Sequence, residues 1–198
     1  MVCPEVIAGV KNIFPDFEAL SVTQAYADEI RIKVEARFFK DTCLALHKAF
    51  SSPVAMFFAS DQRRDAAKFV LNCVFVNLKK CQWVIVNIDI PRQAAYFDSL
   101  AKSIHSASLF EREIWEMFGI EPKGNPDLRR LRLHDEVWPK GNYPLRKDFR
   151  SMQAGDLSDY EFGRVEGNGV FEVPVGPVHA GIIGPGHFRF SVAGEPII

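Results

Sequence analysis

An α+β fold, with an antiparallel sheet carrying helices on one face and then a linker and a C-terminal strand pair, is predicted for this 198-residue protein. Three observations lead there. Alternating segments rich in Val, Ile and Phe recur between Glu29 and Ile90. Stretches with apolar residues at helical spacing lie among them and after them. Gly, Asn, Ser, Asp and Gln then thicken between Ser151 and Gly169 before two more alternating segments. With 47% hydrophobic residues the protein can bury a core.

Ile13 to Ala19, with Phe14, Pro15 and Phe17, makes a brief apolar helix or turn. From Glu29 to Arg37, Ile30, Ile32, Val34 and Ala36 fall on one face and Arg31, Lys33 and Glu35 on the other, the pattern of a half-buried strand. Asp41 or Thr42 can cap a helix running to about Phe50, where Ser51-Ser52-Pro53 stops it. Val54 to Ala59, Lys68 to Asn77 and Gln82 to Ile90 are three strands, and their short connections favour an antiparallel meander. Pro91-Arg92-Gln93 opens a longer helix whose Ala94, Phe97, Leu100, Ala101, Ile104 and Leu109 form an apolar stripe over one sheet face. That helix ends at Glu111 to Ile120, with Gly119 as a left-handed cap. Residues 1–150 form the main domain, 151–169 the linker, and 170–198 a separate beginning. In the last, Val170 to Val175 and His187 to Ala193 are strands that need a partner, because a lone strand pair is marginal in water.

The balance of 24 basic and 25 acidic residues, interspersed, argues against a nucleic acid held by bulk charge. No run approaches the roughly 18 apolar residues of a membrane span, and no secretory signal opens the sequence. The expected location is cytoplasmic. Cys3, Cys43, Cys73 and Cys81 are scattered without a Cys-x-x-Cys pair, so no zinc or iron–sulfur site is written locally and buried thiols are the simpler reading.

The densest information lies between Glu111 and Arg150. Glu111-Arg112-Glu113-Ile114-Trp115-Glu116-Met117-Phe118-Gly119 is followed by Pro126-Asp127-Leu128-Arg129-Arg130 and by Pro144-Leu145-Arg146-Lys147-Asp148-Phe149. A solvated loop could pair its arginines loosely with nearby acids, each exposed pair worth roughly 0–1 kcal/mol. Trp115, Phe118, Trp138, Tyr143 and Phe149 make that costly, and aromatic residues with arginine mark contact patches. The expected interface residues are Glu111, Arg112, Glu113, Trp115, Arg129, Arg130, Arg146, Lys147 and Asp148.

These three blocks, in this order and spacing, resemble the thirty-kilodalton subunit family of respiratory complex I. Asn125 and Tyr143 stand where that family often has histidine, and Glu116 where it often has aspartate. The resemblance implies an α+β scaffold over roughly residues 10 to 150 that packs against a catalytic subunit and binds no cofactor itself. The tail from Gly176 to Glu195 resembles the start of the forty-nine-kilodalton subunit family of the same complex and its relatives, the large subunits of membrane-bound [NiFe] hydrogenases. Quinone-reducing members carry a second histidine four residues after that of the Gly-Pro-x-His turn. Here Ile183 occupies that position, and an apolar side chain cannot donate a proton or hydrogen bond to a quinone carbonyl.

The resemblance therefore points to the hydrogenase branch, of the formate hydrogenlyase type. The alternatives are a fused C/D subunit of an NADH:quinone oxidoreductase, joining the thirty- and forty-nine-kilodalton families, and a free-standing assembly module. A [NiFe] centre and iron–sulfur clusters are expected in the parent complex and not in these residues. The partners would be the hydrogenase catalytic domain and iron–sulfur subunits of an assembly peripheral to the cytoplasmic membrane, with no membrane span in this sequence. His179 and His187 either stabilise the strand-turn-strand or lie on a proton path.

Overall fold

A computed structural model describes residues 21–135, 138–150, 163–179, 181 and 184–198. The apolar cluster expected over Ile13 to Ala19, most of the expected linker, Cys3 and Ile183 lie outside the described residues. Two units are distinguished, Met1–Leu157 and Ser158–Ile198.

Alternation in the first unit generates a five-stranded sheet of order β1-β2-β5-β4-β3. Its strands are β1 (Ser21–Tyr26), β2 (Glu29–Lys33), β3 (Met56–Gln62), β4 (Lys68–Asn77) and β5 (Gln82–Pro91). Ile30 and Ile32 of β2 sit opposite Val84 and Val86 of β5, so one face is continuously apolar across that pair. The α+β class stands and the meander expected of the three strands holds, since β3–β4 and β4–β5 are antiparallel neighbours, but the expectation of a wholly antiparallel sheet is corrected where β2 and β5 run parallel. β1, a strand with no apolar alternation strong enough to announce it, pairs antiparallel with β2 at the sheet edge.

Helix α1 (Phe39–Phe50) buries Phe39, Thr42, Cys43 and Leu46 against this face. It begins earlier than its expected cap, since Thr42 Oγ1 donates back to Phe38 O at 2.7 Å from inside the helix. Ser51, at φ 48°, ends it where the Ser-Ser-Pro signal stood. After β3 comes a single helical turn, α2 (Arg63–Ala66), where a polar connection was expected.

The long helix expected from Pro91 is also corrected. Residues 92–94 form a short 3-10 turn, β6 (Tyr96–Asp98) pairs in parallel with β7 (Glu121–Lys123), and the helix proper is α3 (Ala107–Phe118). Phe97 is drawn into an aromatic cluster with Phe39 and Phe57 at centroid distances of 6.1 and 5.4 Å. That packing outweighs a helical spacing that was only apparent. The buried stripe of α3 runs through Ala107, Glu111, Ile114 and Phe118, whereas Leu109, expected on the stripe, is 56% exposed. Gly119 caps the helix at φ 68°, as its position predicts, and its N–H donates to Trp115 O at 2.8 Å.

In the second unit β8 (Val170–Val178) and β9 (Gly186–Ala193) form an antiparallel hairpin with Val173 opposite Phe190 and Val175 opposite Phe188. Glu172 and Arg189 pair across it at 2.6 Å. Phe171, Val175, Phe188 and Ile197 are exposed, and Val192 is the one buried apolar side chain among its described residues.

Candidate functional site

Residues 125–149 adopt neither helix nor strand among the described residues. A segment of that kind keeps its polar backbone satisfied only if side chains reach it. Here they come from α3 and from the end of β3, and they turn the segment into a strap across the C-terminal half of α3.

Three α3 side chains hold its first half. Glu111 receives the Ser99 hydroxyl and the Asn125 amide on Oε2 at 2.6 and 2.8 Å, and the Leu100 N–H on Oε1 at 2.6 Å. Arg112 donates from Nε to Arg129 O at 2.6 Å and from Nη2 to Arg130 O at 2.7 Å. Glu116 accepts the successive backbone N–H groups of Leu131, Arg132 and Leu133 at 2.9, 2.8 and 3.3 Å. Each such charge-assisted bond contributes roughly 1.5–3 kcal/mol.

The second half is held by aromatic stacking and arginine. Trp138 stacks on Phe149 at a centroid distance of 6.0 Å and donates from Nε1 to Asn142 O at 2.9 Å. Arg130 donates to Trp138 O at 3.0 Å and pairs with Asp135 at 2.9 Å. Arg146 donates to Phe118 O at 2.6 Å, with its guanidinium 4.1 Å from the Tyr143 ring centre. Gly119 lies beneath this pair, and a Cβ there would come within 2.4 Å of the Tyr143 ring.

The strap ends on β3. Asp61 is buried and accepts the Lys147 N–H at 2.9 Å while Arg63 grips it with Nε and Nη2 at 3.0 and 2.8 Å. Arg63 also binds Asp148 through both terminal nitrogens, at 3.1 and 2.5 Å. Burial works against ionisation of Asp61, but Arg63 and the backbone N–H groups outweigh it and hold the carboxyl well below the usual carboxylate range. Asp61 and Arg63 were missed as site residues, since an Asp-x-Arg in a polar stretch gives no sign of a partner 85 residues away.

The expected interface residues divide accordingly. Glu111 is corrected to the interior, being fully buried with its partners inside the first unit. Arg112, Arg130 and Arg146 are half-buried and engaged with backbone carbonyls. Trp115 is half-buried. Facing water are Arg129, Lys147 and Asp148, together with Arg132, which pairs with Glu113 at 3.1 Å. In the hairpin unit, His179 and His187 are exposed, and His179 Nδ1 accepts the Gly181 N–H at 3.3 Å.

Burial raises the pKa of Glu111, against the Ser99, Leu100 and Asn125 bonds that favour its ionised form. A raised carboxyl pKa gives stability that is full below the unfolded value, about 4.3, and lost as pH rises through the folded value. Asp61, depressed, has the opposite sign: its contribution is present above about pH 3.9 and lost as pH falls through the folded value. Glu111→Gln removes the first dependence alone. Urea unfolding midpoints should show its deficit relative to the parent shrinking between pH 4 and pH 7, and a constant deficit would mean Glu111 is not raised.

Among the described residues no three His, Cys, Asp or Glu side chains converge as metal ligands. Cys43 and Cys73 are buried thiols in the core and Cys81 is exposed on a turn. This donor set does not fit a [NiFe] or iron–sulfur centre. Among the described residues no helix is long and apolar enough to cross a membrane.

Residues 32–154 match the family described as respiratory-chain NADH dehydrogenase, 30 Kd subunit. Hydrogenase-4 component G of Escherichia coli is 30% identical over 98% of this chain and 36% of its own length. Formate hydrogenlyase subunit 5 of the same organism is 33% identical over 97% of this chain and 35% of its own. The C/D subunit of the NADH-quinone oxidoreductase of Methylococcus capsulatus is 33% identical over 64% of this chain and 23% of its own length. The chain thus spans about a third of the length of these two Escherichia coli relatives. The fold is shared with the trypsin-resistant fragment (1–134) of Nqo5, at a TM-score of 0.52 and 19% identity, over 63% of this chain and 97% of that one.

Proposed function

Because the chain belongs to the 30 Kd subunit family of the respiratory-chain NADH dehydrogenase, we propose that it is the docking portion of the large subunit of a membrane-bound [NiFe] hydrogenase of the formate hydrogenlyase type. One observation carries this reading: similarity to two hydrogenase-complex proteins runs through nearly the whole chain, tail included. Residues 1–150 serve as the scaffold domain, 151–169 as linker, and 170–198 as the first strands of a hydrogenase domain that would cover the exposed hairpin. The [NiFe] centre, the iron–sulfur clusters and the reduction of protons to hydrogen belong to the rest of the complex, held at the cytoplasmic side of the membrane by partner subunits.

The strap supports the docking role physically. It holds an irregular, arginine-bearing surface in one shape, so little conformational entropy remains to be lost when a partner binds. The exposed charges Arg129, Arg132, Lys147 and Asp148, with the half-buried Glu113 paired to Arg132, are the contacts we assign to iron–sulfur subunits.

The complete protein, tagged and purified with its complex from membranes, is expected to evolve hydrogen from reduced viologen. NADH:quinone reduction without hydrogen evolution would instead favour the fused C/D reading. In the same preparation Arg129→Glu with Arg132→Glu is expected to cut recovery of the iron–sulfur subunits about tenfold. Unchanged recovery would remove the strap from the interface while leaving the hydrogenase assignment standing.

A further inference from the structure

The five-stranded sheet has two faces, and α1 and α3 pack on one of them, over the side of Ile32, Phe57, Leu71 and Val86. The opposite face shows an ordered gradient. One cross-strand row reads Met56, Val74, Ile85 and Arg31, and the next reads Phe58, Asn72, Asn87 and Lys33. Apolar side chains therefore lie toward β3 and cations toward β2. Met56 is 52% and Phe58 41% exposed, well above what a solvated sheet face needs. A shallow groove of about 480 Å³ runs from Phe58 across Ile85 and Asn72 to Arg31 and Lys33.

The cations are not fully balanced. Lys33 and Lys68 both reach Asp89 at 2.8 Å, and Arg31 reaches Glu29 at 2.6 Å, so three cations share two carboxylates. The Arg31 and Lys33 side chains are each 51% exposed. The backbone of β2, β5 and β4 is already paired on both sides, so over these strands the face offers side chains alone, while β3, which carries Met56 and Phe58, is the sheet edge.

We propose that this face docks an amphipathic helix of a partner polypeptide, with its apolar stripe over Met56, Phe58 and Ile85 and carboxylates along one border meeting Arg31 and Lys33. The inference rests on the protein working inside an assembly and assigns it a second contact surface, separate from the strap. A helix suits the gradient because apolar and acidic residues one turn apart stand side by side on its surface.

The test uses the complete protein in its native complex, with p-benzoylphenylalanine placed at Phe58 and, separately, at Lys147 on the strap. The Phe58 probe is expected to cross-link to one peptide of another polypeptide, carrying Asp or Glu among apolar residues at helical spacing. Arg31→Glu with Lys33→Glu should cut that cross-link about tenfold, and Lys33→Ala, which leaves Lys68 on Asp89, about threefold with the protein still folded by circular dichroism. No interprotein cross-link at Phe58 overturns the proposal, as does one to a second copy, to residues 170–198, or to a peptide without carboxylates. Loss of cross-linking at Lys147 as well would overturn the docking reading of the strap too.

Discussion

Glu116→Ala is expected to lower the free energy of unfolding by about 4 kcal/mol, the scale of a broken buried charge network. The carboxylate accepts three consecutive backbone N–H groups, from Leu131 to Leu133, and is itself buried. Alanine leaves those donors without the oxygens that satisfy them. The strap should then detach from α3 between residues 128 and 133 before the sheet unfolds. Urea denaturation measures the loss, and limited proteolysis should show new cleavage in that segment under native conditions. A cost under about 1 kcal/mol, the worth of one ordinary hydrogen bond, with no new cleavage would mean that the strap is held by its second half. Glu116→Gln keeps one accepting oxygen but turns an N–H₂ toward an N–H, so an intermediate loss is expected.

Gly119→Ala should cost about 3 kcal/mol, from two sources of similar size. A non-glycine residue in the left-handed region costs roughly 1–2 kcal/mol. The added Cβ would also lie within 2.6 Å of both the Tyr143 ring and an Arg146 terminal nitrogen, so the pair must move off the helix end. Moving it breaks the Arg146 bond to Phe118 O and the Leu145 N–H bond to Met117 O. Thermal unfolding followed by tryptophan fluorescence reports both the stability and the Trp138 stack. Combining Gly119→Ala with Tyr143→Ala separates the two causes, because the second change removes the ring clash and should recover part of the loss. Full additivity would show that the ring clash contributes nothing to the loss.

Much of the fold was legible because periodicity is a local property. The strands at Lys68 to Asn77 and Gln82 to Pro91 and the helix end at Gly119 follow from residues within a few positions of each other. The stretch from Pro91 to Leu109 misled because Phe97, Leu100, Ala101 and Ile104 are all buried at near-helical spacing, although turns and a short strand place them there. Their burial was correctly expected, and only the backbone path was wrong. The parallel pairing of β2 with β5, which sets Ile32 beside Val86, had no local sign. Two strands so far apart in sequence become neighbours because their apolar faces close together over the same core.

Local patterning was enough for the class of the fold, for the motif blocks that carry the family and for the resemblance of the tail to a second family. What the charged residues within those blocks do depends on contacts between distant segments. Glu111 and Glu116 look like surface acids in a helix of mixed charge, yet both are buried, because an irregular strap of backbone donors and the turn at Ser99 and Leu100 fold over them. Burial of a carboxylate depends on partners distant in the chain, and no local spacing encodes it.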